Sequence, residues 1–194
     1  MTSQQRAIRA SYDKEYITVY QAFSAEIAEA AVREQKLDAS PAYDVYRGYT
    51  WFKPSFCWMM YRCGYTYKDD QQSNVLALRI KHANFKKIMQ QAVLAEKPHG
   101  KDCPIVQWDP ERSPRIGRLE YRSLQVGMPR LLVKQWTEEW VESVEDVTKM
   151  ARALKAKLDE DDKIAAEELV KSGLLPVERP YDMPDSIRKK LEMD

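Results

Sequence analysis

Pro54 most constrains what this chain can fold into. Proline lacks a backbone N–H and fixes φ, so neither a central strand nor a helix interior runs through it. Upstream lies Tyr49-Thr50-Trp51-Phe52, aromatic and β-branched, which reads as a strand ending at the proline. Downstream, Ser55 is placed to cap a helix in which Phe56, Met59, Met60 and Cys63 share a face, and Gly64 marks its end. The chain must turn from strand to helix across Lys53-Pro54-Ser55, and the two residues flanking the proline are polar.

The same alternation recurs on both sides of that corner. Tyr16-Ile17-Thr18-Val19-Tyr20 has strand composition, and Ser24 opens a helix with Ile27, Ala28, Ala31 and Val32 on one face. Asp38 to Asp44 is a loop. Val75-Leu76-Ala77-Leu78-Arg79-Ile80 is the clearest strand, followed by a helix whose stripe is Phe85, Ile88, Met89, Ala92 and Val93. Ile105 to Trp108 predicts a further strand, and Asp109 to Pro114 a turn. In Tyr121 to Val126, alternation sets Tyr121, Ser123 and Gln125 on one face and Arg122, Leu124 and Val126 on the other. From Pro129 the spacing is helical: Leu132, Trp136, Trp140 and Val144 recur every fourth residue, and Val147, Met150, Ala151, Leu154 and Leu158 continue the pattern. The expected fold is α+β, with a mixed β-sheet core, interleaved helices and a helical C-terminal third. Residues 1–14 are expected as a flexible arm and 15–194 as a single domain. A chain of 194 residues buries roughly 70% of its unfolded surface and needs no staples.

The longest strongly apolar run, Phe56 to Tyr61, is far too short to cross a bilayer, and no secretory signal opens the sequence. Cys57, Cys63 and Cys103 are odd in number and in no metal-ligand spacing, so they read as thiols of a reducing, cytoplasmic compartment with no metal. Gly-rich phosphate loops, zinc patterns and the nucleophile elbow are missing. His82, at a helix start, reads as a surface or capping residue rather than a base. The net charge of +1 conceals a segregation: from Tyr46 to Lys134 there are 16 Lys and Arg against 7 Asp and Glu, while both flanks are net acidic. Either the middle meets an anionic partner, or acidic helices neutralise basic strands within the fold.

The run from Tyr46 to Tyr67 is where function is expected. A helix N-terminus offers unpaired N–H groups and partial positive charge, so Lys53 and the Ser55 hydroxyl make a phosphate cradle there. Lys53 and Arg62 are cations in an apolar run and need a partner or an anion. Most of the aromatic residues around them are core by the same pattern.

Several blocks carry a resemblance: Arg9; Val19-Tyr20-Gln21-Ala22; Thr50-Trp51-Phe52-Lys53-Pro54-Ser55-Phe56; Trp58 to Arg62; Gln107-Trp108-Asp109-Pro110-Glu111-Arg112; Tyr121-Arg122-Ser123 with Gln125; and Pro176 to Tyr181. Together they resemble the family known as domain of unknown function 4291, over nearly the whole chain. Thr18 stands where family members often have Arg. The order of elements also resembles, loosely, the ADP-ribosyltransferase fold. That likeness implies an NAD-binding transferase in which Gln125 and Tyr61 are catalytic and Tyr20, Gln21, Trp51, Lys53, Ser55 and Arg62 hold the cofactor. The alternative is a non-catalytic nucleic-acid or nucleotide binding module using the basic, aromatic middle. A protein-interaction surface at Trp136 and Trp140 is a third reading, against which both residues read as core.

Overall fold

A computed structural model describes residues 5–43 and 49–194. Tyr46, Arg47 and Gly48 of the expected site segment, and Asp44 of the preceding loop, lie outside the described residues. The described residues form an α+β domain, as expected. In chain order the elements are β1 (Arg9–Ala10), β2 (Tyr16–Phe23), α1 (Ala25–Glu34), β3 (Tyr49–Phe52), α2 (Phe56–Cys63), β4 (Asn74–Lys81), α3 (His82–Gln91), β5 (Val93–Leu94), β6 (Ile105–Arg112), β7 (Arg118–Pro129), α4 (Arg130–Gln135), β8 (Val141–Asp146), α5 (Thr148–Glu160), α6 (Ala166–Lys171), β9 (Arg179–Pro180) and α7 (Asp185–Lys190).

Three sheets result: β2-β4-β8, β3-β7-β6-β5 and the small pair β1-β9. All pairings are antiparallel except β5 with β6. β4 lies at the centre of its sheet, which explains its nearly unbroken apolar run. Leu76, Leu78 and Ile80 enter one core with Ile17, Val19, Phe52, Phe85 and Trp136, while Val75 and Ala77 enter a second core beneath α2 and α5. Phe52 stacks on Trp136 with ring centroids 4.7 Å apart. Tyr20 and Lys53 join the two larger sheets by exchanging two backbone hydrogen bonds: Tyr20 N–H donates to the Lys53 carbonyl at 2.7 Å, and Lys53 N–H returns the bond at 3.0 Å.

Three expectations are corrected. First, the helical periodicity from Leu132 to Val144 does not produce one helix. After α4 comes a π turn, Trp136–Trp140, and the chain then pairs as β8. Without β8, the second edge of the buried β4 would keep unpaired N–H and C=O groups, a cost that overrides a weak helical preference. Trp136 and Trp140 are nevertheless fully buried, so that stripe is core.

Second, β6 continues through Asp109-Pro110-Glu111 to Arg112, and the turn falls at Ser113–Gly117, closed by Ser113 N–H on the Gly117 carbonyl at 2.9 Å. The pairing with β7 shifts register between Pro110 and Arg112, an irregularity that accommodates the missing proline N–H.

Third, residues 5–14 are not a loose arm. Ile8 and Ala10 are wholly buried, β1 pairs with β9, and the Ile8 carbonyl accepts the Tyr181 N–H at 2.8 Å. Ile8→Ala is therefore expected to cost about 2–5 kcal/mol in urea unfolding; a detached arm would give no change.

Candidate functional site

Alternation along β6, β7 and β3 sorts their side chains onto two faces. Trp108, Leu124, Val126 and Phe52 point into the core. The opposite face is polar: Gln107 pairs with Gln125, Asp109 with Ser123, and Trp51 lies across from Gly127. A Cβ on Gly127 would meet the Trp51 ring at 3.0 Å, so only glycine lets the indole lie this close to β7. Lys53, two residues beyond Trp51, projects from this face.

Above it opens a cavity of about 420 Å³ whose lining includes Gln21, Trp51, Lys53, Met59, Arg62 and Gln125. Thus five expected site residues, Gln21, Trp51, Lys53, Arg62 and Gln125, are brought together from four elements and the β3–α2 corner. Tyr20, Ser55 and Tyr61 are not among them. Tyr20 is buried and packs edge-on against Phe56, as a core residue. Tyr61 is exposed, with the Arg112 guanidinium 3.7 Å from its ring centroid.

Lys53 is only 3% exposed, and its ammonium makes no hydrogen bond or ion pair among the described residues. It sits 4.8 Å above the Trp58 ring, a cation–π contact that recovers part of its lost hydration. Burial lowers its pKa to about 8, the Arg62 charge pushes the same way, and Asp109 opposes both. The Arg62 side chain, exposed at the rim, likewise has no partner among the described residues. Gln125 donates from Nε2 to Gln107 Oε1 at 2.7 Å and to Asp109 Oδ2 at 2.5 Å. Asp109 is thereby fixed next to the cavity, its pKa raised by burial.

The N-terminus of α2 is the main correction to the site. Ser55 does cap the helix, its Oγ accepting the Trp58 N–H at 3.1 Å. The acceptors expected there come from the protein itself. Ser55 Oγ donates to Glu111 Oε1 at 2.9 Å, and Phe56 N–H donates to Glu178 Oε1 at 2.6 Å. The cradle is therefore already filled by the carboxyl groups of Glu111 and Glu178, and Lys53 lines the cavity instead. Burial pushes Glu178 up to about 8 against the pull of the Phe56 N–H, and the neighbouring Glu111 charge adds to the rise. Glu111, 5% exposed, is also raised by burial; it accepts from Arg112 N–H at 2.8 Å, and Arg9 lies near enough to act on it.

The sequence pattern alone assigns no role to Asp109, Glu111 or Glu178. For the first two the signal was present: Asp109 and Glu111 are two apart and alternate in step with Gln107, a pattern hidden by treating Pro110 as a turn. Glu178 is brought in by β9 from a distant part of the chain, and no local pattern marks it. His82 sits half-buried at the start of α3, with Tyr181 Oη 2.9 Å from its Nδ1 and the Asp13 carbonyl 3.0 Å from its Nε2. These contacts orient the ring far from the cavity. Among the described residues no cluster of three or more His, Cys, Asp or Glu could hold a metal ion, and no helix is long and apolar enough to cross a membrane.

A family model described as Domain of unknown function (DUF4291) matches residues 7–181, and the chain belongs to that family. No curated protein matches it.

The buried ammonium has a consequence for stability. A lysine whose folded-state pKa lies below its unfolded value destabilises the fold while protonated, and the penalty fades as pH rises from about 8 toward the unfolded value. Lys53→Met, which keeps the stem and removes the charge, should stabilise the protein at pH 7 by on the order of 1–3 kcal/mol. Urea denaturation at pH 7 and pH 10 checks this, the gain shrinking at the higher pH.

Proposed function

We propose that the cavity binds a phosphate-bearing nucleotide, with Lys53 and Arg62 holding the phosphate and Trp51 flanking the planar ring. The observation that carries this reading is the buried ammonium of Lys53, unpaired among the described residues, in a cavity lined also by Arg62, which likewise has no partner among them. A protein maintains such a charge at a cost to stability, and an anionic ligand offsets that cost when it binds. The cavity volume of about 420 Å³ falls within the range of small-molecule sites and suits a mononucleotide or half of a dinucleotide.

A finer reading, an ADP-ribosyltransferase-like reaction on NAD, draws support from Asp109. Loss of nicotinamide leaves an oxocarbenium-like ribose, which needs a negative charge nearby, and Gln125 alone has none. Asp109, hydrogen-bonded to Gln125, supplies that charge from behind it. In this reading Gln125 and Asp109 stabilise the cation, and Tyr61 has no part because Arg112 covers its ring.

Isothermal titration with AMP, NAD and a single-stranded RNA oligomer tests the binding. Lys53→Met should weaken nucleotide affinity roughly ten- to a hundredfold, equivalent to about 1.5–3 kcal/mol for one charged contact. Wild-type affinity should fall as pH rises through about 8, where Lys53 loses its proton. Absence of nucleotide binding, or equal affinity in the variant, overturns the reading, and tight salt-dependent binding of RNA alone would transfer support to the nucleic-acid module. Assay of nicotinamide release from NAD addresses the reaction separately: binding without release removes the transferase and leaves the nucleotide site.

A further inference from the structure

Cations and aromatic rings alternate from the cavity to the β6–β7 hairpin. Lys53 lies over the Trp58 ring, Trp58 meets Tyr61 edge-on with ring centroids 5.9 Å apart, and the Arg112 guanidinium lies 3.7 Å from the Tyr61 centroid. Arg112 stands directly opposite Arg118 in the antiparallel register of β6 and β7, so both side chains leave the hairpin on the face that meets Tyr61. Trp58 is buried and only supports the row. Tyr61, 41% exposed, and Arg118, also exposed, form its outer surface.

Two features of the row are unfavourable in the protein alone. Like charges directly opposed across two strands repel. Neither arginine has a carboxylate partner among the described residues to offset this: Arg112 Nε is shielded from solvent without an acceptor, and its Nη1 reaches only the Ile116 carbonyl at 3.5 Å. Asp109 feels the charges of both Lys53 and Arg112, which sets the arginine near the cavity, yet it forms an ion pair with neither. Cations free to take phosphates, beside an exposed ring and a guanidinium plane on which a base can stack, are what a single-strand binding surface needs.

We infer that the nucleotide of the cavity is the phosphorylated end of a single-stranded nucleic acid, whose next phosphates are held by Arg112 and Arg118 and whose next base stacks at Tyr61. This rests on the nucleotide reading of the cavity and names its substrate class. A phosphodiester strand continues the phosphate assigned to Lys53 and Arg62 with the same chemistry and brings a base to Tyr61. An acidic peptide offers neither.

Calorimetric titration at several salt concentrations compares AMP with the 5′-phosphorylated adenylate trimer. At low salt the trimer should bind roughly tenfold tighter or more, and its log–log salt slope should be steeper by about 0.7 for each added phosphate. Arg118→Gln should weaken the trimer by roughly threefold or more and remove about 0.7 from that slope, with AMP affinity unchanged. Arg118 is exposed, and removing one of two opposed charges relieves repulsion, so the variant should fold. Lys86→Gln, which removes an exposed charge on α3 outside the row, should change neither ligand's affinity. A trimer bound no tighter than AMP, or an Arg118→Gln effect no larger than that of Lys86→Gln, overturns the strand and leaves the nucleotide cavity standing. Hexaglutamate bound as tightly as the trimer, with the same dependence on Arg118, assigns the row to an acidic protein and overturns the strand equally. Failure of AMP and trimer alike overturns both.

Discussion

The pair of backbone hydrogen bonds between Tyr20 and Lys53 is the constraint on which the rest of the site depends. It is the point where β2, from the three-stranded sheet, meets the end of β3, from the four-stranded one. Pro54 follows at once and has no N–H to extend the ladder, so the pairing ends there and the chain turns into α2. The geometry fixes which face Lys53 occupies. Phe52 goes to the core against Trp136, and Trp51 and Lys53 go to the polar side, where Gln21 from β2 and Gln125 from β7 already stand. Slipping this register by one residue would exchange Phe52 with Lys53, placing a charge in the core and a phenyl ring in the cavity.

Two kinds of charge burial sit side by side at this corner, and they are balanced differently. Glu111 and Glu178 are satisfied by donors: the Ser55 hydroxyl, the N–H groups of Phe56 and Arg112, and the nearby Arg9. Burial raises both pKa values, and with Glu178 pushed up to about 8 a proton held there reduces the cost of placing two acids together. Both anchor β6 and the C-terminal strand β9 to the start of α2, which makes them structural. Lys53 has no such arrangement. Trp58 gives it an aromatic face and Asp109 a distant field, and no acceptor among the described residues completes its shell. The contrast separates the part of the corner that holds the fold from the part whose charge is left without an acceptor among the described residues.

What the sequence made legible was local. The strand at Val75–Ile80, the Ser55 cap, the Gly64 stop and the face shared by Ser123 and Gln125 each depend on neighbours a few residues away, and each appears in the structure. The cations Lys53 and Arg62 were conspicuous because they interrupt an apolar run. Elements set by distant partners were not legible. β8 exists because β4 needs a second neighbour, and its helical spacing gave no sign of that. Residues 7–10 look patternless until β9 and the buried Tyr181 close over them. Asp109 and Glu111 were hidden by a proline that a register shift tolerates. The filled helix N-terminus had the same origin, since Glu178 lies more than a hundred residues from Phe56 in sequence.

The segregation of charge along the chain gains a physical account from the same long-range contacts. Cations of the basic middle meet acids of the flanks: Arg79 pairs with Asp13, Lys81 with Glu142, and Lys97 with Glu192. Arg115 donates to the carbonyls of Leu158 and Asp161 at the end of α5. Each exposed pair contributes little to stability, at most about 1 kcal/mol. Their effect on the surface field is larger, because every matched cation is lost to a polyanion that would bind along the segment. Lys53 and Arg62 lie in no ion pair among the described residues and share one cavity, but the exposed Lys68, Lys86, Lys87 and Lys101 of the same segment are equally unmatched among the described residues. A small anion in the cavity would meet only Lys53 and Arg62, whereas an extended polyanion would also meet the exposed lysines, so the two kinds of ligand differ in how many cations they engage and hence in the salt dependence of their binding.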